Sequence, residues 1–166
     1  MKKTLLIGLL ILVGLYSFAQ KNVASTQIKD LSGKSISVVN LLKHDGPVVI
    51  ALWATWCKPC VSELTAINDL IDDWVEETGV KFIAISIDDA RSNRRVKSFV
   101  RGRDWFFDVY TDENQDFKRA MGVNLIPHTF LINNGKVVWE HSSYAAGDEE
   151  ILYEKIKAIK DGKKVN

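Results

Sequence analysis

The chain has 166 residues, 22 basic against 21 acidic side chains for a formal charge of +1, and a 46% share of hydrophobic residues. That balance gives no bulk electrostatic attraction to nucleic acid, and the length suits one domain with a sizeable core. The only cysteines, Cys57 and Cys60, are too few for a structural zinc site, which takes about four ligands.

In chain order, Lys2 and Lys3 precede an apolar stretch from Leu5 to Tyr16, closed by Ser17-Phe18-Ala19 with small residues where a signal peptidase reads. This fits the ~7 to 15 residue apolar core of a secretory signal and is short for a membrane span of about 20 residues. The expectation is a signal peptide over residues 1–19, cleaved after Ala19, with an uncleaved membrane anchor as the alternative. No cysteine lies near that point to carry a lipoprotein anchor. Export would place the two cysteines where disulfides persist.

One folded domain is expected over residues 22–162. Alternating apolar residues on both sides of Asp30-Leu31-Ser32-Gly33-Lys34 predict a hairpin with Ser32-Gly33 in its turn. His44 falls in a polar connection and reads as a solvated loop residue. Pro47 to Leu52 is a short β-branched run, read as a buried central strand. Leu64, Ile67, Leu70, Ile71, Trp74 and Val75 then recur at helical spacing until Gly79.

Cys57-Lys58-Pro59-Cys60 sits at that strand-to-helix junction. The first amides of a helix lack partners and, with the helix dipole, favour negative charge, so a cysteine there has its thiolate stabilised. Cys57 is expected as the exposed nucleophile. Pro59 suits the first turn, and Cys60, one turn further in, suits a more buried resolving thiol. Lys58 adds positive charge beside the nucleophile, and Trp56 either covers one side of the site or packs. A passive bridge and half of a metal site are the competing readings of the pair. A bridge closing so short a loop adds only about 2 kcal/mol.

Val80 to Ile87 predicts a second buried strand, parallel to the first, and Asp88-Asp89 after it reads as a loop or helix cap. Ser92 to Val100 predicts a short helix with Val96, Phe99 and Val100 inward. Around it lie Arg91, Arg94, Arg95, Lys97, Arg101 and Arg103, with no acid between Ala90 and Asp104. The run reads as a solvated face or as a docking patch for an acidic partner or an anionic membrane. Trp105 to Tyr110 predicts a strand with core aromatics, and Gln115 to Met121 a short helix with Phe117, Ala120 and Met121 inward. Asn133-Asn134-Gly135 joins two strands of a hairpin. Asp148 is expected to cap a last helix with Ile151, Leu152, Ile156 and Ile159 on one face, and His141 reads as a partnerless surface residue.

The string Trp56-Cys57-Lys58-Pro59-Cys60, extended by Glu63 to W-C-x-P-C-x-x-E, resembles the thioredoxin superfamily and within it the TlpA/ResA-like thiol-disulfide oxidoreductases. Ile126-Pro127, followed by Thr129 to Ile132, sits where that family keeps its cis-proline loop. The resemblance implies an α/β thioredoxin fold: a central mixed β-sheet flanked by helices, with an N-terminal β-hairpin extension and a central strand-helix insertion. It implies catalysis by Cys57 and Cys60 as a redox-active disulfide without other cofactor or metal. Thioredoxin itself has a buried Asp where this chain has Ala51, so the resemblance gives the proton of Cys60 to Glu63. An ordinary first-turn Glu is the alternative. Ile126 and Pro127 become the substrate-binding loop, whose backbone pairs with an extended segment of the partner.

The resemblance further implies a periplasmic monomer acting on protein disulfides or dithiols of the envelope, for example in cytochrome c maturation. A membrane electron donor would stand upstream, and nucleic acid is not a partner. Three other readings remain open. A copper or zinc protein would use Cys57 and Cys60, with or without His128, which otherwise reads as a local hydrogen-bonding residue. A peroxiredoxin-like peroxidase would want Thr three residues before its cysteine, where Thr55 is two before Cys57. An adaptor would tolerate Cys57→Ala.

Overall fold

A computed structural model describes residues 21–165, so the predicted signal peptide and its cleavage site lie outside the described residues. Among the described residues no helix is long and apolar enough to cross a membrane. The chain runs β1 (Gln27–Asp30), β2 (Ser35–Ser37), α1 (Val38–Leu41), β3 (Val48–Trp53), α2 (Lys58–Asn68) and α3 (Ile71–Thr78). It continues with β4 (Lys81–Ser86), α4 (Asn93–Arg101), β5 (Asp108–Thr111), α5 (Asp116–Ala120), β6 (His128–Asn133), β7 (Lys136–Ser142) and α6 (Asp148–Lys160).

The strands form one mixed sheet in the order β2-β1-β5-β4-β3-β6-β7. At its centre, β3 is Val-Val-Ile-Ala-Leu-Trp with every residue buried, which fits a strand covered on both faces. It pairs parallel with β4, Trp53 opposite Ser86, and antiparallel with β6, Leu52 opposite His128. This register brings the end of β3, the end of β4 and the start of β6 to one edge of the sheet. The N-terminal hairpin forms as the sequence predicts and docks antiparallel on β5. The Asn134-Gly135 turn has positive φ at both residues, as a two-residue hairpin loop demands.

The structure departs from the sequence reading in several places. The stretch between Cys60 and Gly79 is two helices. Asp69 closes α2, and the amide of Leu70 turns back to the Ile67 carbonyl before α3 begins. The break re-aims the second half, so Leu70 and Val75 face solvent while Ile71 and Trp74 stay buried. Gly79 ends α3 in a left-handed conformation, φ 67°. Strand β5 begins only at Asp108, so Trp105 to Phe107 lie in the loop ahead of it rather than in the predicted strand; there Trp105 and Phe107 are buried, but Phe106 is 72% exposed. Ala120 is exposed, and so is Ile151 on α6, where Leu152 and Ile156 carry the packing. Gly147 occupies the cap of α6, while Asp148 is its first residue and accepts the Ala145 amide at 2.7 Å.

Helix α6 packs against α2 and α3, with Tyr153 stacked on Trp74 at 5.2 Å. Helix α4 is held by an aromatic cluster in which Trp53 meets Trp105 at 5.0 Å and Phe99 at 5.6 Å.

Candidate active site

The sheet edge described above gathers the candidate residues. Strand β3 ends at Trp53, and four residues later the chain turns into α2 with Cys57 as its N-cap residue. Pro59 sits within the first turn, where its missing amide hydrogen leaves nothing unpaired. Cys57 and Cys60 are joined as a disulfide. The Cys60 amide donates to the Cys57 sulfur at 3.4 Å, so a free amide of the helix start is aimed at the sulfur expected to carry charge.

Cys57 is 6% exposed and Cys60 fully buried in this oxidised state. Cys57 is thus the more accessible of the two residues, though more buried than the exposed nucleophile the sequence predicts. Trp56 is 64% exposed, which removes it from the core and puts it on the surface beside the disulfide. Lys58 is exposed next to it.

Glu63 lies one turn beyond Cys60 on the inner face of α2 and is buried. Its carboxylate accepts a hydrogen bond from Thr129 Oγ1 at 2.8 Å. Thr129 pairs with Ala51 on β3, the position at which thioredoxin keeps its Asp. A carboxyl is therefore present in the same part of the interior but is supplied by the helix. Burial pushes the Glu63 carboxyl up to about 7, the Thr129 bond opposes this, and the nearby charges of Asp148 and Glu149 at the start of α6 add to the rise. A buried acid balanced near neutrality can take up or release a proton at working pH.

The Ile126-Pro127 peptide bond is cis, as expected. Because β6 starts at His128 opposite Leu52, this loop stands beside the turn that carries Cys57. Pro127 is buried and its carbonyl accepts the Ser143 amide at 3.0 Å. The Ile126 backbone forms no hydrogen bond among the described residues, and Leu125 before it is 77% exposed.

The histidines are accounted for by their neighbours. His128 faces Ser142 Oγ at 3.1 Å and Glu140 Oε2 at 3.4 Å through its two ring nitrogens, and burial holds its imidazole below the usual value. His44 is exposed and its Nε2 lies 2.7 Å from the Gly79 carbonyl. His141 is half-buried, stacked on Trp139 and 3.5 Å from Asp148, which corrects the expectation of a partnerless surface residue.

One residue of the site escaped the sequence reading in its role. Of the pair after β4, Asp89 does cap the chain before α4, accepting from the Arg91 and Ser92 amides. Asp88 instead turns inward, fully buried, and accepts from the Thr55 amide at 2.8 Å, the Thr55 hydroxyl at 2.6 Å and the Ser86 hydroxyl at 2.7 Å. It ties the end of β4 to the turn leading into Cys57. The only sequence signal was an acid at the end of an apolar strand. Its partner Thr55 becomes visible only once β3 and β4 are paired.

Comparison with known proteins places this site. Residues 19–140 match the AhpC/TSA family. The chain is similar to the thiol-disulfide oxidoreductase ResA of Bacillus thuringiensis subsp. konkukian (strain 97-27). The two are 36% identical over 121 residues, covering 72% of this chain and 67% of that protein. A thioredoxin-like protein from Porphyromonas gingivalis superposes with a TM-score of 0.75 at 39% identity, covering 84% of this chain and 92% of the other. StoA from Bacillus subtilis shares the fold, with a TM-score of 0.64 at 19% identity over 80% of this chain and 97% of its own. With a Cys57–Cys60 disulfide at the start of a helix in a thioredoxin-like sheet, the chain belongs to the AhpC/TSA family and is a thiol-disulfide oxidoreductase of the ResA/TlpA-like group.

Proposed function

We propose that the chain is an exported reductant of protein disulfides in the bacterial envelope, with Cys57 as the attacking sulfur, Cys60 as the resolving sulfur and Glu63 as the acid-base group for Cys60. The reduced chain presents the Cys57 thiolate to a partner disulfide. One sulfur–sulfur bond of the partner breaks as the mixed disulfide forms, and the released partner sulfur takes a proton. Glu63 then accepts the Cys60 thiol proton. The Cys60 sulfur attacks Cys57, two electrons pass to the partner, and its second thiolate leaves to be protonated. The chain remains in the disulfide form of this structure.

The observation that carries the reading is the Cys60 amide aimed at the Cys57 sulfur, together with a buried Glu63 one turn further along α2 whose proton affinity falls near neutrality. Lys58 adds positive charge beside Cys57, and Trp56 with the Ile126-Pro127 loop supplies a surface for the partner, whose extended backbone pairs with the open Ile126 peptide. Cleavage after Ala19 would release a soluble periplasmic monomer, and a membrane electron donor would restore the dithiol. Oxidised haem-attachment cysteines of apocytochromes are the proposed clients.

The test is the reduction potential of the Cys57/Cys60 couple, followed by tryptophan fluorescence across defined thiol buffers. A value near the thioredoxin end, about −270 mV, is expected. A value near about −120 mV would make the chain a disulfide-forming oxidant and overturn the proposed direction.

A further inference from the structure

Helix α4 carries charge in an arrangement that its own fold does not favour. Arg94 and Arg95 lie in its first turn, where the helix dipole disfavours cations; the turn itself holds no acid, and Asp89 ahead of it binds the Arg91 and Ser92 amides rather than either arginine side chain. Arg94, Lys97 and Arg101 follow at helical spacing, so like charges neighbour one another. All four side chains are exposed, and among the described residues none of them forms an ion pair. In a chain of balanced charge, five arginines and one lysine stand between residues 91 and 103 without an acid.

The patch begins beside the active site. Asp88 binds Thr55, two residues before Cys57, and Arg91 follows Asp88 by three residues. Their Cα atoms are therefore at most about 11 Å apart. A protein partner covering about 800 Å² spans roughly 30 Å, enough to sit over the disulfide and the first turn of α4 together.

We infer that the exposed face of α4 is a docking surface for protein substrates carrying Asp and Glu residues near the disulfide to be exchanged. This rests on the thiol-disulfide exchange at Cys57 and Cys60. Arginine predominates, and its guanidinium fork matches a carboxylate in two-point hydrogen bonding. The apolar side of α4 is turned inward, Val96 buried and Phe99 packed on Trp53 and Trp105. The basic face thus lacks the apolar wedge with which an amphipathic helix enters lipid, which favours an acidic protein over a membrane.

The test uses the variant R94E/R95E/K97E/R101E in the full domain and two synthetic peptides with the same internal disulfide, one flanked by four Asp or Glu residues and one by Ser and Gly. For the acidic peptide, KM is expected to rise about tenfold with kcat within twofold, while the neutral peptide is turned over equally by both proteins. Raising the salt from about 50 to 300 mM should close the gap for the parent chain. Direct binding of a Cys→Ser copy of the acidic peptide, read by fluorescence anisotropy, should weaken by the same factor. That readout separates docking from exchange, because it registers even if turnover fails. Equal KM values for the two peptides in the parent chain would overturn the inference. So would binding to phosphatidylglycerol vesicles that is lost in the variant while the acidic peptide holds no preference. An intermediate effect in R94Q/R95Q would support it.

Discussion

Two helices begin at the same edge of the sheet, α2 from the end of β3 and α4 from the end of β4, and neither has an acid in its first turn. Helix α6 shows the ordinary arrangement, with Asp148, Glu149 and Glu150 at its start and Lys157 and Lys160 in its last turn. In α2 the vacant position is taken by sulfur, since the Cys60 amide points at Cys57. In α4 the acid, Asp89, stands ahead of the helix, while the first turn carries Arg94 and Arg95, which the dipole opposes. The difference separates two uses of a helix start. On the proposed function, the first holds negative charge that arises within the chain during exchange, and on the inference above the second leaves a basic face open to negative charge brought by a partner.

The comparison can be broken most severely at the start of α2. Cys57→Ala should lower disulfide exchange by at least about 10³-fold, measured with a peptide disulfide, without unfolding the domain. Residual activity above a tenth would mean that the helix start is not where exchange occurs.

The joint between the two helix starts comes next. Asp88→Ala removes the acceptor for the Thr55 amide and two hydroxyls, each of which costs about 1 to 3 kcal/mol when left buried and unpaired. Because the hydroxyls can turn elsewhere, a loss of about 3 kcal/mol is expected in urea unfolding, and unchanged stability would show that the clasp is not needed.

Deeper in α2, Glu63 should make stability depend on pH. Its folded value, about 7, lies above the unfolded value of 4.5, so the folded state holds the proton more tightly. The stabilisation is fully present below about pH 4.5 and is lost as pH rises through 7, a difference of about 3 kcal/mol. Glu63→Gln should remove that slope, seen as a difference between the two stability profiles from pH 5 to 8. It should also slow resolution of the mixed disulfide by about 10²-fold. Parallel profiles would contradict a proton held at Glu63.

The smallest effect belongs to α4. R94E/R95E should raise stability by about 0.3 to 1 kcal/mol per site by satisfying the dipole, even as docking of acidic substrates weakens. A fall in stability would give these arginines a structural role instead.

Much of this organisation was legible in the chain. The β3 run, the Asn134-Gly135 turn and the W-C-x-P-C-x-x-E string depend on neighbours in sequence, so local rules reach them. The break between α2 and α3 was not, because helical spacing continues through Leu70 and no Gly or Pro marks Asp69. The W-C-x-P-C-x-x-E resemblance marks Glu63, but its partner Thr129 stands 66 positions away and is brought near by the pairing of β6 with β3. Asp88 and Thr55 needed the parallel register of β3 and β4 for the same reason. Phe106 broke the expectation of an aromatic core because it lies in the loop ahead of β5, exposed between its buried neighbours Trp105 and Phe107.

The most direct test of Cys57 as the attacking sulfur is covalent capture. Reduced C57S and C60S forms would each be mixed at neutral pH with the same disulfide peptide, and the adducts identified by mass spectrometry. Accumulation of a mixed disulfide through Cys57 in C60S, with little adduct in C57S, is the expected result. Preferential capture through Cys60 in C57S would contradict the assignment and reverse the roles of the two sulfurs.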